Sequence, residues 1–194
     1  MKGKIIGIIG PMFSGKTTTL MREYDKTKLV GIPIIFKPKI DDRYGNDEIV
    51  THDKEKRQAI NCSTSNRIFK YLCDNKLVTD IFIDEVQFFD DDIIEIIDWF
   101  RLEGKNVYFS GLNQDYLGKP FYFKNSNKNI GELLCMCDDT KHLSARCSIC
   151  GEPASKTHLK NQEFNNDDEF NKSPVLLGNN DTYEARCYKH HNKD

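Results

Sequence analysis

The chain has 194 residues, a length that suits one domain, or one domain with a small appendage. Charged residues make up 30% of it and the formal net charge is −2, so the composition lacks the strongly basic balance typical of proteins that bind nucleic acids. No apolar run approaches the ~20 residues that a membrane-spanning helix needs.

The N-terminal part of the chain alternates between predicted strands and helices. The apolar run Lys4–Ile9 is typical of a strand buried on both faces, and it is followed by a predicted helix, Lys16–Val30, with Gly31 as its C-cap. The second predicted strand is Ile32–Phe36, in which Pro33 favours either an edge strand or the first position of a strand.

The middle of the chain continues this alternation after a long polar stretch. Residues 38–53 are predicted to form a loop, and loops of this length are usually functional or disordered. A short helix is predicted at Ser65–Cys73, followed by a short buried strand at Ile81–Ile83.

The clearest helical pattern lies at Asp90–Glu103, where four isoleucines and Phe100 form one apolar face. We expect Asp90 to cap this helix and Gly104 to end it. Val107–Ser110 is the next buried strand. A polar loop at 124–129 leads to a short helix, Ile130–Met136, and the rest of the chain is rich in loops, including a polar surface loop at 161–172.

A phosphate-binding loop follows the first predicted strand. The segment has the GxxxxGK[ST] spacing between a strand and a helix. Its amides can point at phosphate oxygens, the lysine can reach the β- and γ-phosphates, and the threonine hydroxyl can bind Mg²⁺. The residues predicted to bind ATP here are Gly10, Pro11, Met12, Phe13, Ser14, Gly15, Lys16 and Thr17.

Two carboxylates stand at the end of the strand Ile81–Ile83. We expect Asp84 to hold Mg²⁺ beside Thr17, directly or through a water molecule. Glu85 is then well placed to take a proton from an attacking nucleophile. If that nucleophile is water, the protein is an ATPase; if it is a substrate hydroxyl, the protein is a kinase. The spacing leaves both open.

Near the C-terminus, two short cysteine motifs predict a metal site. Cys147 and Cys150 form one CxxC knuckle, and Cys187 and His190 form a second knuckle of the same spacing. Four such ligands predict a closed, structural Zn²⁺ site. His191 competes with His190 as a ligand, although the position of His190 matches the first knuckle better.

The use of cysteine also indicates a cellular compartment. Seven cysteines occur in a chain with no recognisable export signal, since the apolar run 5–9 is short and ends at Gly10-Pro11. We therefore expect no disulfide bonds and a cytoplasmic location. The cysteines outside the two knuckles are interpreted as buried or incidental thiols.

Repeated strand and helix units with short buried strands predict an α/β fold, with a mainly parallel sheet flanked by helices. Ligands on such a sheet bind at the carboxyl ends of its strands, where Gly10 and Asp84 both lie. We predict a nucleotide-binding domain at 1–140 and a zinc-binding subdomain at 141–194.

Taken together, these motifs resemble those of the zinc-containing (type II) thymidine kinases, and the resemblance spans nearly the whole chain. It rests on Gly10–Thr17, Asp42-Arg43-Tyr44, Thr51-His52-Asp53, Ile83–Phe89, Gly111-Leu112, Lys119-Pro120-Phe121, the two knuckles, and Leu177-Gly178 ahead of Tyr183. The resemblance implies a RecA-like core, a zinc-bearing lasso that closes over the nucleoside, ATP-dependent phosphorylation of the thymidine 5′-hydroxyl to give dTMP, and a homotetramer.

Roles for individual residues also come from this resemblance. Glu85 corresponds to the base that deprotonates the 5′-hydroxyl, while Arg43, Asp84 and Gln87 join the ATP site. The residues that the resemblance assigns to the nucleoside are Met12, Phe88, Leu112, Tyr116, Thr157, Leu176 and Tyr183. The chain departs from the family at Asn113-Gln114, at Tyr116 and at Asn179.

Two other functions remain open at this point. A nucleic-acid-stimulated ATPase with a zinc ribbon shares the phosphate loop and the knuckles, but the near-neutral charge argues against it. A non-catalytic nucleotide-binding regulator would not need both Asp84 and Glu85. The expected partners are thus ATP and thymidine, without nucleic acid or a membrane.

Overall fold

The structure, a computed structural model, describes residues 2–39, 48–50, 55–160 and 182–191, with only the main chain at position 50. In the first two thirds of the chain, strands of a central sheet alternate with helices, with one short antiparallel hairpin inserted between the first two helices, and further short hairpins follow. In chain order the elements are β1 (Ile5–Ile9), α1 (Lys16–Thr27), β2 (Pro33–Pro38), β3 (Glu48–Val50), β4 (Lys56–Gln58), β5 (Ile60–Cys62), α2 (Ser65–Asp74), β6 (Asp80–Ile83), α3 (Asp92–Leu102), β7 (Asn106–Gly111), α4 (Ile130–Cys135), β8 (Asp139–His142), β9 (Ala145–Arg146), β10 (Pro153–Ala154), β11 (Lys156–Leu159), β12 (Tyr183–Arg186) and α5 (Tyr188–His191).

A six-stranded sheet with the order β5-β2-β6-β7-β1-β8 forms the centre of the fold, and its neighbouring strands all pair in parallel. The predicted α/β fold with a mainly parallel sheet is therefore confirmed. Because the strands are parallel, the carboxyl ends of β1, β6 and β7 lie at one edge, where the phosphate loop and the acidic pair begin.

The sheet is buried on both faces, as the apolar runs predicted. Ile5 and Ile9 of β1 point into a core with helices α2 and α3, while Ile8 points to the opposite side, against Leu20 and Met21 of α1. This alternation follows from the two-residue period of a strand. Helices on both faces exclude water from the sheet and hold its edge rigid beneath the site.

Several helix boundaries differ from the prediction. Helix α1 ends at Thr27 rather than Val30, because the amides of Leu29 and Val30 bond to carbonyls only three residues back. Gly31 donates its amide to Thr27 but does not adopt the left-handed conformation of a C-cap glycine. Gly104, with φ of 84°, does end α3 as predicted.

The expected role of Asp90 is wrong. Its carboxylate accepts hydrogen bonds from the Ser65 amide (3.0 Å) and from the Ser65 hydroxyl. Ser65 is the first residue of α2, so the carboxylate caps α2 and not the helix that follows it in sequence. Phe69 of α2 contacts Trp99 of α3 edge-on, at 5.2 Å between ring centroids, so the two helices lie side by side. This packing brings the acid to an unpaired helix amide that is distant in sequence.

Short strands were missed where the sequence has no clear period. The predicted loop 38–53 contains β3, which pairs with β4 in an antiparallel hairpin, and residues 40–47 and 51–54 lie outside the described residues. The outer strands β5 and β8 were also not predicted. Pro33 occupies the first position of an internal strand, one of the two options that its sequence context allowed. The proposed boundary at residue 140 falls within β8.

An ion pair joins the outer strand β8 to helix α1. Lys141 donates to Glu23 at 2.8 Å, and this bond, which outweighs the opposing effect of burial, lowers the pKa of Glu23. Because the pKa of Glu23 is lower in the folded protein than in the unfolded chain, where it is ~4.3, the ionised carboxylate stabilises the fold at pH values above ~4.3. This stabilisation is lost as the pH falls through the lowered pKa of the folded state. We expect Glu23→Gln to reduce the free energy of unfolding by less than about 1 kcal/mol at pH 7.

Urea unfolding at a series of pH values checks this expectation. The difference between wild type and Glu23→Gln should persist above pH ~4.3 and shrink toward zero as the pH falls from there through the lowered pKa of Glu23. The control is Glu103→Gln, which removes an exposed carboxylate at the end of α3. A difference that is the same at every pH would contradict the pairing.

Candidate active site and metal centre

The phosphate loop runs from the end of β1 to the start of α1, as the motif predicted. Its turns use positive φ angles at Gly10 (156°), Phe13 (65°) and Gly15 (78°). Gly15 precedes the first residue of α1, so the loop amides gather at the positive end of this helix. This arrangement is suited to binding phosphate groups.

We expect Gly10→Ala to destabilise the fold by about 1–3 kcal/mol or more. A Cβ at this position would lie 2.5 Å from the Leu143 carbonyl oxygen and 2.9 Å from Ser14 Oγ, in a conformation that side chains rarely adopt. Gly15→Ala is the matched comparison, because a Cβ at that position meets nothing within 4 Å. Its only expected cost is the strain of a left-handed backbone in a residue other than glycine. In chemical denaturation, the unfolding midpoint of Gly10→Ala should lie well below that of Gly15→Ala. Equal unfolding midpoints would contradict the expected clash.

Lys16 lies inside the loop, with 6% of its surface exposed, and donates to the Pro11 carbonyl at 2.8 Å. Burial lowers the pKa of this ammonium group, while the nearby carboxylates of Glu85 and Asp84 raise it. The ammonium group of Lys16 therefore lies between the phosphate loop and the carboxylates of Asp84 and Glu85, where it can neutralise the charge of a bound phosphate.

Asp84 meets the loop from the neighbouring strand end. Its carboxylate accepts from Thr17 Oγ1 at 3.2 Å and from the Ser110 hydroxyl at the end of β7. Burial, followed by the charge of Glu85, raises the pKa of Asp84 to about 7, although the Ser110 hydroxyl, Lys16 and Thr17 act in the opposite direction. A carboxylate and a hydroxyl held together are hard oxygen donors, and a divalent cation beside them would relieve the cost of burying the charge. Asp84 and Thr17 therefore fit Mg²⁺.

Glu85 begins a short 3₁₀ helix, Val86–Phe88, with a left-handed backbone (φ 49°, ψ 47°). Its Oε2 atom accepts a hydrogen bond from the Gln87 amide group at 2.6 Å. The side chain is half-buried, whereas Asp84 is buried. The two acids thus differ in environment, one among the loop hydroxyls and the other at the rim of the site.

Three of the residues that the resemblance assigned to the nucleoside, Phe88, Leu112 and Tyr116, lie on the segments that follow β6 and β7. Phe88 packs edge-on against Phe121, with 5.9 Å between ring centroids, and both it and Leu112 pack against the core below α2 and α3. Tyr116 lies in a tight loop, because the Asp115 carboxylate accepts from the amides two and four residues further along.

Two further predicted residues lie on the C-terminal hairpin β11–β12. Thr157 is buried, and its hydroxyl accepts the main-chain amide of Met12 at 3.0 Å, which ties the hairpin directly to the phosphate loop. Tyr183 is also buried and pairs with Leu159 across the hairpin. Arg43 and Leu176 lie outside the described residues.

The predicted metal ligands come together although they are far apart in sequence. The ligand atoms of Cys147, Cys150, Cys187 and His190 all lie within 4.8 Å of one another. His190 Nδ1 lies 3.3 Å from Cys187 Sγ and 3.6 Å from Cys147 Sγ. Three sulfur atoms and one nitrogen at these separations fit tetrahedral zinc, with bonds of about 2.0–2.3 Å. His191 is not part of the cluster, so the structure selects between the two histidines.

The surroundings of one ligand, Cys147, favour its thiolate form. Burial opposes the charge of Cys147, but hydrogen bonds from the amides of Cys187, Cys150 and Ile149 outweigh it and lower the pKa of this thiol to about 5. The apolar cluster around the site is small: Ala145, Ala154 and Ala185 join Cys147 in it, with Phe13 and Cys187 packed against them. So few apolar side chains cannot supply much stability by burial. The site therefore fits a structural zinc ion, which would stabilise this part of the chain when bound.

The hydrogen bonds that three residues make around the site were missed from the sequence. Ser110 ends an apolar strand, and only the parallel pairing of β6 and β7 indicates that its hydroxyl meets Asp84. Gln114 donates to the Ser155 carbonyl and accepts from Lys156, both at 2.6 Å, and so links the Tyr116 loop to the hairpins beside the Cys₃His cluster. Gln87 bonds to Glu85 and to Leu112, while its predicted role in binding ATP stays a prediction.

Residues 3–191 match a family model described as thymidine kinase. The chain belongs to the thymidine kinase family. The family and the enzyme class predicted from the sequence are therefore confirmed, and the Cys₃His cluster agrees with the zinc-containing type II branch. Membership of this kinase family indicates a phosphotransferase that acts on a nucleoside.

A comparison with solved structures finds similarity to the X-ray structure of the Legionella pneumophila ATPase DotB. The two are 15% identical, with a TM-score of 0.42, and the match covers 79% of this chain and 44% of that chain. The chain thus spans less than half the length of that solved structure. Within the described residues, the structure contains no helix that is both long and apolar enough to cross a bilayer.

Proposed function

We propose that the protein transfers the γ-phosphoryl group of ATP to the 5′-hydroxyl of thymidine and releases dTMP and ADP. The observation that carries this proposal is the contact between Thr17 of the phosphate loop and Asp84, with Glu85 next to it in the chain. This contact joins a phosphate site, a cation site and a candidate base at one edge of the sheet. The family match supports the nucleoside as acceptor.

In the proposed reaction, the 5′-oxygen attacks the γ-phosphorus and forms the new P–O bond. The bond from that phosphorus to the β,γ-bridging oxygen breaks, and ADP leaves with the electron pair. The proton of the 5′-hydroxyl passes to the Glu85 carboxylate, which then releases it to solvent. Glu85 suits this role because its carboxylate lies at the rim and is fixed by a hydrogen bond from Gln87.

Charge on the transferring group would be balanced by residues of the loop. Lys16, the loop amides from Gly10 to Thr17, and Arg43 are the proposed phosphate contacts, with Asp84 completing the ATP site. Thr17 and Asp84 would hold Mg²⁺, which when bound offsets the negative charge of the β- and γ-phosphates. Structural Zn²⁺ would remain in the Cys₃His cluster, away from the reacting atoms.

Thymine specificity is proposed to come from the zinc-bearing lasso. Thymine offers an N3–H donor between two carbonyl acceptors, and main-chain groups near Leu176 and Tyr183 would pair with this edge. Cytosine lacks the N3–H, so a buried lasso carbonyl would be left unpaired. Met12, Phe88, Leu112, Tyr116 and Thr157 would surround the base and sugar.

The resemblance extends the proposal to assembly and location. A homotetramer in the cytoplasm is proposed, and sedimentation equilibrium with the purified protein tests the tetramer directly. A mass equal to that of one chain over the working concentration range would contradict it.

ADP release measured with ATP, Mg²⁺ and a panel of nucleosides tests the function. Turnover should require a nucleoside and be greatest with thymidine, and cytidine nucleosides should be poor acceptors. ATP hydrolysis that ignores thymidine would overturn the proposal. Stimulation by single-stranded DNA that falls steeply with added salt would support the zinc-ribbon ATPase instead.

A further inference from the structure

The side chain of Gln87 is held at both ends. Its Nε2 group donates to Glu85 Oε2 at 2.6 Å, and its Oε1 atom accepts the main-chain amide of Leu112 at 3.1 Å. Only 1% of the residue is exposed. The side chain is therefore a buried bridge between the candidate base and the first residue beyond β7.

The orientation of this amide group is fixed by chemistry. A main-chain N–H can only donate, so the atom that faces Leu112 must be the carbonyl oxygen of Gln87. The NH₂ group then points at Glu85, whose ionised carboxylate can only accept. A reversed amide group would place a donor against a donor and an oxygen against a carboxylate.

The neighbouring glycine leaves room for this bridge. A Cβ on Gly111 would lie 2.6 Å from Gln87 Oε1 and 3.0 Å from the nearest atom of Val86. Glu85 itself has a left-handed backbone, so the direction in which its side chain leaves the main chain is set by an uncommon conformation. The hydrogen bond from Gln87 is a second restraint on the same carboxylate.

We propose that Gln87 is a positioning residue, which holds the Glu85 carboxylate in the orientation needed to accept the 5′-hydroxyl proton. Its other end is bonded to Leu112, a residue assigned to the nucleoside, so the bridge ties the orientation of the base to the wall of the nucleoside site. This inference rests on the proposed function, because it gives Glu85 the role of base. It places the side chain of Gln87 against the base and not against ATP.

Gln87→Met tests the bridge, because methionine has a similar length but donates no hydrogen bond. We expect kcat for thymidine phosphorylation to fall by about 10–100-fold, since a misplaced catalytic group costs about this much. The KM values for ATP and thymidine should stay within about threefold of wild type. The same substitution at the exposed Gln58 of β4 is the control and should leave all three constants unchanged.

A second variant separates the lost donor from the lost packing. Gln87→Glu keeps the shape of the side chain and an oxygen for the Leu112 amide, and once ionised it places a second acceptor against Glu85, whereas its protonated form can still donate. Its kcat relative to wild type should therefore fall as the pH rises and the introduced carboxyl ionises, while zinc content is retained. It also carries the test if Gln87→Met fails to fold.

Combination with Glu85→Gln distinguishes positioning from a general structural role. If Gln87 acts through Glu85, adding Gln87→Met to Glu85→Gln should lower kcat by less than about threefold more. Equal fold losses in both backgrounds, or a rise in the KM for ATP with unchanged kcat, would overturn the inference. If the wild type shows no thymidine kinase activity, the proposed function fails first; if it is active and Gln87→Met is equally active, only the role of Gln87 fails.

Discussion

Replacing Glu85 with glutamine is expected to lower kcat for thymidine phosphorylation by roughly 10²–10⁴-fold, the usual contribution of a general base. An amide oxygen at this position cannot take the proton of the 5′-hydroxyl at neutral pH. The loss should appear in kcat, while ATP and thymidine continue to bind with near wild-type affinity.

The local structure allows this substitution to remove the basic group without moving the side chain. Glutamine has the shape of glutamate, and its Oε1 atom can still accept the hydrogen bond that Gln87 donates at 2.6 Å. The left-handed backbone at position 85 is equally available to both residues. The variant therefore removes basicity and negative charge but leaves the orientation of the side chain in place.

Steady-state ADP release and calorimetric titration with each substrate provide the measurements. Glu95→Gln, which alters a mostly exposed carboxylate on α3, is the matched control and should have wild-type kcat. Turnover of Glu85→Gln within about threefold of wild type would remove Glu85 from the role of base. Loss of ATP binding would instead assign its charge to the nucleotide site.

The second large effect is expected at the zinc cluster. Cys150→Ser should weaken zinc binding by more than about 100-fold, because it removes one of four ligands and a serine hydroxyl is a poor substitute for a thiolate. The apolar cluster around the site is small, so we expect bound zinc to supply much of the stability that holds β9–β10 against β11–β12. We expect Tm to fall by about 5 °C or more.

The consequences should reach the phosphate loop. Phe13 packs against the zinc-bearing cluster, and the Met12 amide is bonded to Thr157 on β11. A loosened hairpin would lose both contacts, and the KM values for ATP and thymidine should rise together. The zinc site is thus expected to support function through packing, at a distance from the reacting atoms.

Metal analysis, thermal unfolding and steady-state kinetics check this prediction. Cys135→Ser is the matched control, since Cys135 is an exposed cysteine outside the cluster, and it should retain one zinc ion per chain. A Cys150→Ser protein that still holds stoichiometric zinc would show that the ligand set is wrong. Removal of zinc from the wild type with a chelator should reproduce the lowered Tm.

Local motifs were predictable from the sequence because each depends on a short run of residues. The spacing of Gly10, Gly15 and Lys16 specifies the turn and its lysine before any tertiary contact is known. The same is true of the two metal knuckles, whose ligands lie three residues apart within each pair. The apolar strands β1, β6 and β7 were evident because burial on both faces requires continuous apolar runs.

Short peripheral strands could not be predicted in this way. Strand β8 consists of polar residues, Asp139–His142, and is a strand because it pairs with β1 across the fold. Asp90 has the sequence position of a cap for α3, yet it bonds to Ser65 because α2 packs alongside. In both cases the decisive partner is distant in the chain, and local pattern carries no information about it.

The phosphate loop, the acidic pair, the two metal-binding knuckles and the family that they indicate could all be recognised from the sequence alone. The groups that surround these motifs are known from the folded chain: Ser110 bonds to Asp84, Gln87 lies between Glu85 and Leu112, and Thr157 bonds to the Met12 amide. A motif fixes the chemistry of neighbours in the chain, whereas hydrogen bonds between separate strands depend on sheet order and packing.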